Sequence, residues 1–155
     1  MLEDQYEYFA DDDHLNYEFI SEGHNGRIKK VIQFSKTIIK GVEAYNLGFG
    51  DLMEGQVSDT AVSNNGDMSK VLNTVANTVL DFTSHHGNKW IYAKGSTTIR
   101  TMLYQRKLSQ GFHKISTDFD IYGLAEGGWE EFVEGKNYQA FLIKRKQNNI
   151  FDIKN

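Results

Sequence analysis

Leu15, Tyr17 and Phe19 are apolar at every second position, the period of a strand with one buried face, and the run stops at Ser21-Glu22-Gly23-His24-Asn25-Gly26. Residues 27–39 resume with Ile28, Val31, Ile32, Phe34, Ile38 and Ile39, and a Lys40-Gly41 break leads into a third apolar run over residues 44–49. The first fifty residues therefore predict a meander of three antiparallel strands. The period changes after Ser63-Asn64-Asn65-Gly66-Asp67. Met68, Val71, Leu72, Val75, Val79 and Phe82 recur at helical spacing, with Ser, Lys, Asn and Thr opposite, which predicts a helix over residues 68–84. Asp67 or Asn65 can cap its start by accepting a hydrogen bond from first-turn amides, and His85-His86-Gly87-Asn88 stops it.

Trp90-Ile91-Tyr92-Ala93 then predicts a short buried strand. A second helix opens at Gly95-Ser96-Thr97, carries Ile99, Met102, Leu103 and Leu108, and ends near Gln110-Gly111. Strands are expected at residues 119–123 and 138–143, with Trp129-Glu130-Glu131-Phe132 in a loop or helical turn between them. This order predicts one α+β domain: a mostly antiparallel mixed sheet of six or seven strands carrying two main helices, with Val71, Val75, Val79, Ile99 and Leu103 buried. Residues 15–146 form that domain. Residues 1–14, rich in aspartate and glutamate, read as a solvated acidic arm, and residues 147–155 as a C-terminal tail.

Composition narrows the function classes. The chain has 155 residues, 39% hydrophobic and 25% charged, which suits a self-sufficient core and is too apolar for disorder. Seventeen Lys and Arg against 21 Asp and Glu leave a formal charge of −4, so nucleic acid and anionic membranes are not favoured partners. No apolar run approaches the roughly 18 residues of a membrane span, and the N-terminus lacks the pattern of a secretory signal, so a cytoplasmic location is expected. Zero cysteines exclude disulfides and thiolate chemistry. With zero prolines, turns must come from glycine, asparagine and aspartate.

A helix start with free amides and a glycine before it is a ready anion site, so Asn64, Asn65, Gly66, Asp67, Met68, Ser69 and Lys70 are candidate phosphate contacts. Asp67 places a negative charge there, as an N-cap would. Ser96, Thr97 and Arg100 form a second candidate, a hydroxyl-rich helix start one turn before a guanidinium; that arginine can equally pair with a carboxylate on a neighbouring strand. His14, His24, His85, His86 and His113 make no H-x-x-x-H or H-x-H set, so no metal is expected, and the adjacent pair His85-His86 suits helix C-terminal carbonyls. No Walker loop, nucleophile elbow or dinucleotide fingerprint occurs.

The meander followed by Ser63-Asn64-Asn65-Gly66-Asp67-Met68 on a helix start, and Leu103-Tyr104 on the next helix, resembles the central and C-terminal part of the GCN5-related N-acetyltransferases. The resemblance covers about residues 63–112. It implies an exposed strand end leading into a helix whose first turn holds the pyrophosphate of acetyl-coenzyme A, with the next strand and helix flanking the pantetheine arm. Gly66 matches the family's acyl-CoA loop and Tyr104 its proton donor to the departing thiolate. Asp51 or Asp59 would face the acceptor as a base, or else serve as turn aspartates bonding local amides. Across nearly the whole chain, Tyr45-Asn46-Leu47-Gly48-Phe49-Gly50-Asp51, Lys70-Val71-Leu72 and Gly95-Ser96-Thr97 with Arg100 also resemble an uncharacterised bacterial domain family of small stand-alone proteins. The competing expectation is a non-enzymatic interaction protein on the same scaffold, in a toxin–antitoxin or phage-related setting. Its partner, another protein or a second copy, would meet an aromatic surface: Tyr6, Tyr8 and Phe9 near the acidic arm, or Trp129, Phe132, Tyr138 and Phe141.

Overall fold

Alternation in the first half of the chain folds as long, directly connected strands. A computed structural model describes residues 4–53, 56–58, 65–95 and 97–146. Strands β1 (Tyr8–Ala10), β2 (Asn16–Gly23), β3 (Gly26–Ile39) and β4 (Val42–Met53) pair antiparallel in chain order. The β3–β4 turn, Lys40-Gly41, has φ of 49° and 78°, so both residues adopt the left-handed conformation that a tight two-residue hairpin requires. Strand β5 (Gln56–Ser58) folds back on the end of β4.

Helix α1 (Met68–His86) follows, and β6 (Trp90–Ala93) returns parallel to β4. Then come α2 (Thr98–Gln110), α3 (Phe112–Asp118), β7 (Phe119–Ala125), β8 (Gly128–Glu131) and β9 (Phe141–Arg145). The sheet order is β1-β2-β3-β4-β6-β9-β7-β8, with β5 on β4 beside this path. The β4–β6 pair is parallel and the other pairs are antiparallel, which makes a single-domain, mixed and mostly antiparallel α+β fold. Among the described residues no helix is long and apolar enough to cross a membrane.

The helices share one face of the sheet. Tyr17, Phe19, Ile32, Phe34, Leu47, Ile91 and Phe141 meet Val71, Val75, Val79 and Phe82 of α1 in one core. Each such fully buried side chain contributes roughly 1.5–3 kcal/mol of transfer free energy. Register places Trp90, Tyr92, Tyr122, Leu124, Trp129 and Leu142 on the opposite face.

Several expectations are corrected. The acidic arm is not a solvated tail at residues 4–10. Strand β1 pairs with β2, Tyr6 stacks on Phe19 at 5.6 Å, and Asn73 Nδ2 donates to Asp4 O. The helix face of asparagine and threonine that looked solvent-facing is buried: Thr74 Oγ1 accepts from Tyr6 N and Asn77 Nδ2 donates to Gln5 Oε1. Ile99 is 70% exposed, because α2 turns Thr101 inward instead, and Leu103 is only half-buried. Residues 128–131 form β8, paired with β7, rather than a loop. The last strand begins at Phe141, and residues 112–118 form α3, absent from the sequence reading. The C-terminal tail lies outside the described residues.

Candidate functional site

The start of α1 is filled by the protein's own side chains. Asp67 sits at the N-cap, yet its carboxylate makes no cap hydrogen bond: Oδ2 accepts from Tyr6 OH at 2.6 Å and Ser21 Oγ at 2.5 Å. This corrects the expected capping role, since two hydroxyls outside the helix compete better for the carboxylate than the helix's own amides. Asn65 does not cap either. It is buried, accepts from Asn25 N through Oδ1, and donates through Nδ2 to Ser21 Oγ and Gly26 O, clamping the β2–β3 turn. Gly66 has φ of 77°, and a Cβ there would meet the His24 ring, so glycine is required on both counts. Lys70 Nζ lies 4.4 Å from the centroid of the Tyr6 ring. Met68 and Ser69 are exposed in the first turn, and Asn64 lies outside the described residues.

The second candidate group gathers where β4 and β6 part. Their parallel pairing covers Ala44 to Asn46 against Trp90 to Tyr92 and then ends. On that side β5 pairs only from Asp51 onward, so among the described residues β4 has no strand partner besides β3 along Leu47 to Gly50. Arg100 reaches this edge, with Nη1 3.5 Å from Phe49 O, at the long limit for a donated bond. Thr97 caps α2, its Oγ1 accepting from Arg100 N at 3.2 Å, while Thr101 Oγ1 accepts from Gly95 N. Ser96 lies outside the described residues, as does Asp59. Asp51 is buried and paired with Lys30, whose Nζ donates to Oδ1. Sequence reading missed Lys30, and only the β3–β4 register, which pairs residue 30 with residue 51, reveals it.

Beside that edge, between α1 and α2–α3, lies a cleft of about 460 Å3. Leu72, Val75, Ala76, Leu47, Ala93 and Phe141 form its apolar floor. Tyr104 lines it together with Lys107 and Lys114; burial pulls the Lys107 ammonium below the usual lysine range. Arg100 thus meets β4 two residues before Asp51, while Tyr104 lines the cleft one turn further along α2; none of Arg100, Asp51 and residues 66–70 is among the cleft's lining residues.

A different cluster sits at the other end of α1. His14 Nδ1 is 2.8 Å from Asp81 Oδ2, His85 Nδ1 is 3.8 Å from the same oxygen, and the two imidazoles stack at 3.4 Å. Tyr17 OH donates to that oxygen at 2.7 Å. Burial works to raise the Asp81 carboxyl, but the Tyr17 hydroxyl and the His14 imidazole outweigh it and hold the group below the usual carboxylate range. Histidine spacing alone hides this set; the signal was Asp81-x-x-x-His85, a carboxylate and an imidazole on one helix face.

A family model described as a family of unknown function, DUF6934, matches residues 2–146, and it supports the reading as an uncharacterised domain. No curated protein and no solved structure matches the chain. The match spans nearly the whole sequence, and the chain therefore belongs to this family, DUF6934.

Proposed function

We propose that this domain is an acyltransferase on a scaffold like that of the GCN5-related N-acetyltransferases, binding acetyl-coenzyme A or another acyl-CoA and passing the acyl group to an amine. The observation that carries the reading is the parallel β4–β6 pair that separates after Asn46 and Tyr92, joined by α1 and opening beside an apolar cleft. The strand edge left open among the described residues offers amides and carbonyls to a pantetheine arm. Arg100 adds a guanidinium at the same edge.

The amine nitrogen attacks the thioester carbonyl carbon and the carbon–sulfur bond breaks. Tyr104 gives its hydroxyl proton to the departing thiolate, Asp51 takes the proton of the amine, and exchange through solvent resets both. Asp51 is paired with Lys30, whose Nζ donates to its Oδ1.

Calorimetric titration with acetyl-CoA and CoA tests the binding step, and release of free thiol in the presence of small amines tests the transfer. Tyr104→Phe is expected to lower turnover by about 10²–10⁴-fold without weakening CoA binding. Absence of binding at millimolar ligand overturns the proposal.

A second reading, an interaction protein, is favoured by the sheet face opposite the helices. Trp90, Tyr122, Trp129 and Leu142 line a groove of about 290 Å3 there, with Trp90 and Tyr122 in edge contact at 5.6 Å. Of the C-terminal aromatics, Trp129 alone lies on this face, while Phe132, Tyr138 and Phe141 are core. Trp129→Lys should abolish any self-association seen by sedimentation while leaving CoA titration unchanged.

A further inference from the structure

We propose that the cleft between α1 and α2–α3 binds a medium-chain aliphatic carboxylate, with the hydrocarbon tail on its apolar floor and the carboxylate between Lys107 and Lys114, independent of the acyl-CoA reading. The cleft holds about 460 Å3. At about 30 Å3 for a methylene-sized group, and with a ligand packed less tightly than a core side chain, that is room for a chain of about 10–12 carbons. Its depth is hydrocarbon: Val75, Val79, Phe119 and Phe141 are buried side chains of the core, and Leu108 and Ile115 add apolar surface nearer the solvent.

The charged side chains gather where α2 gives way to α3. Lys107 stands in the last turn of α2 and Lys114 in the first turn of α3, on either side of Gly111, whose N–H donates to Lys107 O. Both line the cleft, Lys107 half-buried and Lys114 exposed. Asp118, one turn after Lys114, is the one carboxylate among the described lining residues, and His113 the one imidazole. Among the described residues neither lysine is ion-paired with Asp118 or with any other carboxylate. Burial, with no carboxylate to offset it, pulls the Lys107 ammonium below the usual lysine range. An ammonium held in an apolar wall has an unmet charge, and an anion carried in by a ligand supplies the partner. A small anion alone meets the charge and leaves the hydrocarbon uncovered; an uncharged hydrocarbon does the reverse. A carboxylate at one end of an aliphatic chain does both, and this complementarity of charge and apolar surface sets the ligand class.

Calorimetric titration of the full chain with hexanoate, octanoate and decanoate tests the site. One equivalent should bind, and each added methylene should tighten binding by about three- to fourfold until the cleft is full. Decan-1-ol, which keeps the tail, and acetate, which keeps the head, should each bind more weakly than decanoate by about tenfold or more. Lys107→Met removes an unpaired ammonium from an apolar wall, so the variant should still fold, while its affinity for decanoate falls about 10–100-fold. Arg106→Met, at an exposed position of α2 outside the cleft lining, should leave that affinity unchanged. Absence of heat with decanoate at millimolar concentration overturns the proposal. Decan-1-ol binding as tightly as decanoate overturns it equally, as does undiminished binding by Lys107→Met. Titration with CoA and acetyl-CoA reads separately: a chain that takes decanoate but neither of these fails the acyltransferase reading and keeps this site.

Discussion

The Tyr6 hydroxyl donates to Asp67 Oδ2 at 2.6 Å, tying the segment ahead of β1 to the residue that begins α1. Ser21 of β2 donates to the same oxygen, so one carboxylate joins the N-terminal segment, the second strand and the main helix. Burial and the adjacent Asp67 both raise the Tyr6 phenol above its usual range, which keeps it a donor throughout the neutral range.

Removal of that donor should therefore cost stability. Tyr6→Phe keeps the ring stacked on Phe19 and Lys70 but leaves Asp67 one partner short, a loss of about 1.5–3 kcal/mol for a hydrogen bond to a charged group. Deleting residues 1–10 removes β1 and uncovers Thr74 and Asn77, and should lower the urea midpoint further. An unchanged midpoint for the deletion would show the segment to be an accessory arm after all.

Lys30 and Asp51 are 8% and 6% exposed at their side chains and face each other from β3 and β4. Breaking such a pair leaves an uncompensated buried charge. Lys30→Ala is expected to cost about 3–5 kcal/mol, whereas the double change Lys30→Met with Asp51→Leu recovers most of it. A double-mutant cycle in urea measures both. The double variant should also be inactive in acyl transfer, which separates fold from chemistry.

Ala76 faces the cleft from α1 and is half-buried. Ala76→Phe fills part of the cavity with apolar surface and should hold or slightly raise the thermal midpoint. The same ring blocks an acyl or pantetheine chain, so CoA titration should fall silent. Binding that survives the substitution would place the ligand outside this cleft.

Asp11 supplies the pH dependence. Hydrogen bonds from Asn16, first from its side chain, and from the Leu15 and Asn16 amides hold its carboxyl below the usual range. A carboxyl lowered in the folded state contributes stability above its unfolded value of about 3.9, and loses that contribution as pH falls through the folded value. The stability difference between wild type and Asp11→Ala should accordingly be constant from about pH 5 to 7 and shrink below about pH 4. Denaturant midpoints across that range check it.

Local physics made much of the fold legible in the sequence. The period-two runs of residues 15–49, the Lys40-Gly41 turn and the helical spacing of Val71, Val75 and Val79 each depend on neighbours within a few residues, and each element forms where that spacing puts it. Gly66, Arg100 and Tyr104 were visible as residue types with suitable chemistry. What tertiary structure decided is who meets whom. Asn73, Thr74 and Asn77 look like a solvated helix face until residues 4–6 cross it, because a polar stripe is buried only when distant groups satisfy it. Ile99 looks like core until α2 turns Thr101 to the Gly95 backbone instead. Asp67 looks like a cap until Tyr6 and Ser21 claim its carboxylate. Lys30 reaches Asp51, and His14 reaches Asp81 and His85, only through strand register and a turn clamped against the end of α1. Each of these partners is remote in sequence, and no periodicity encodes a contact that chain crossing alone creates.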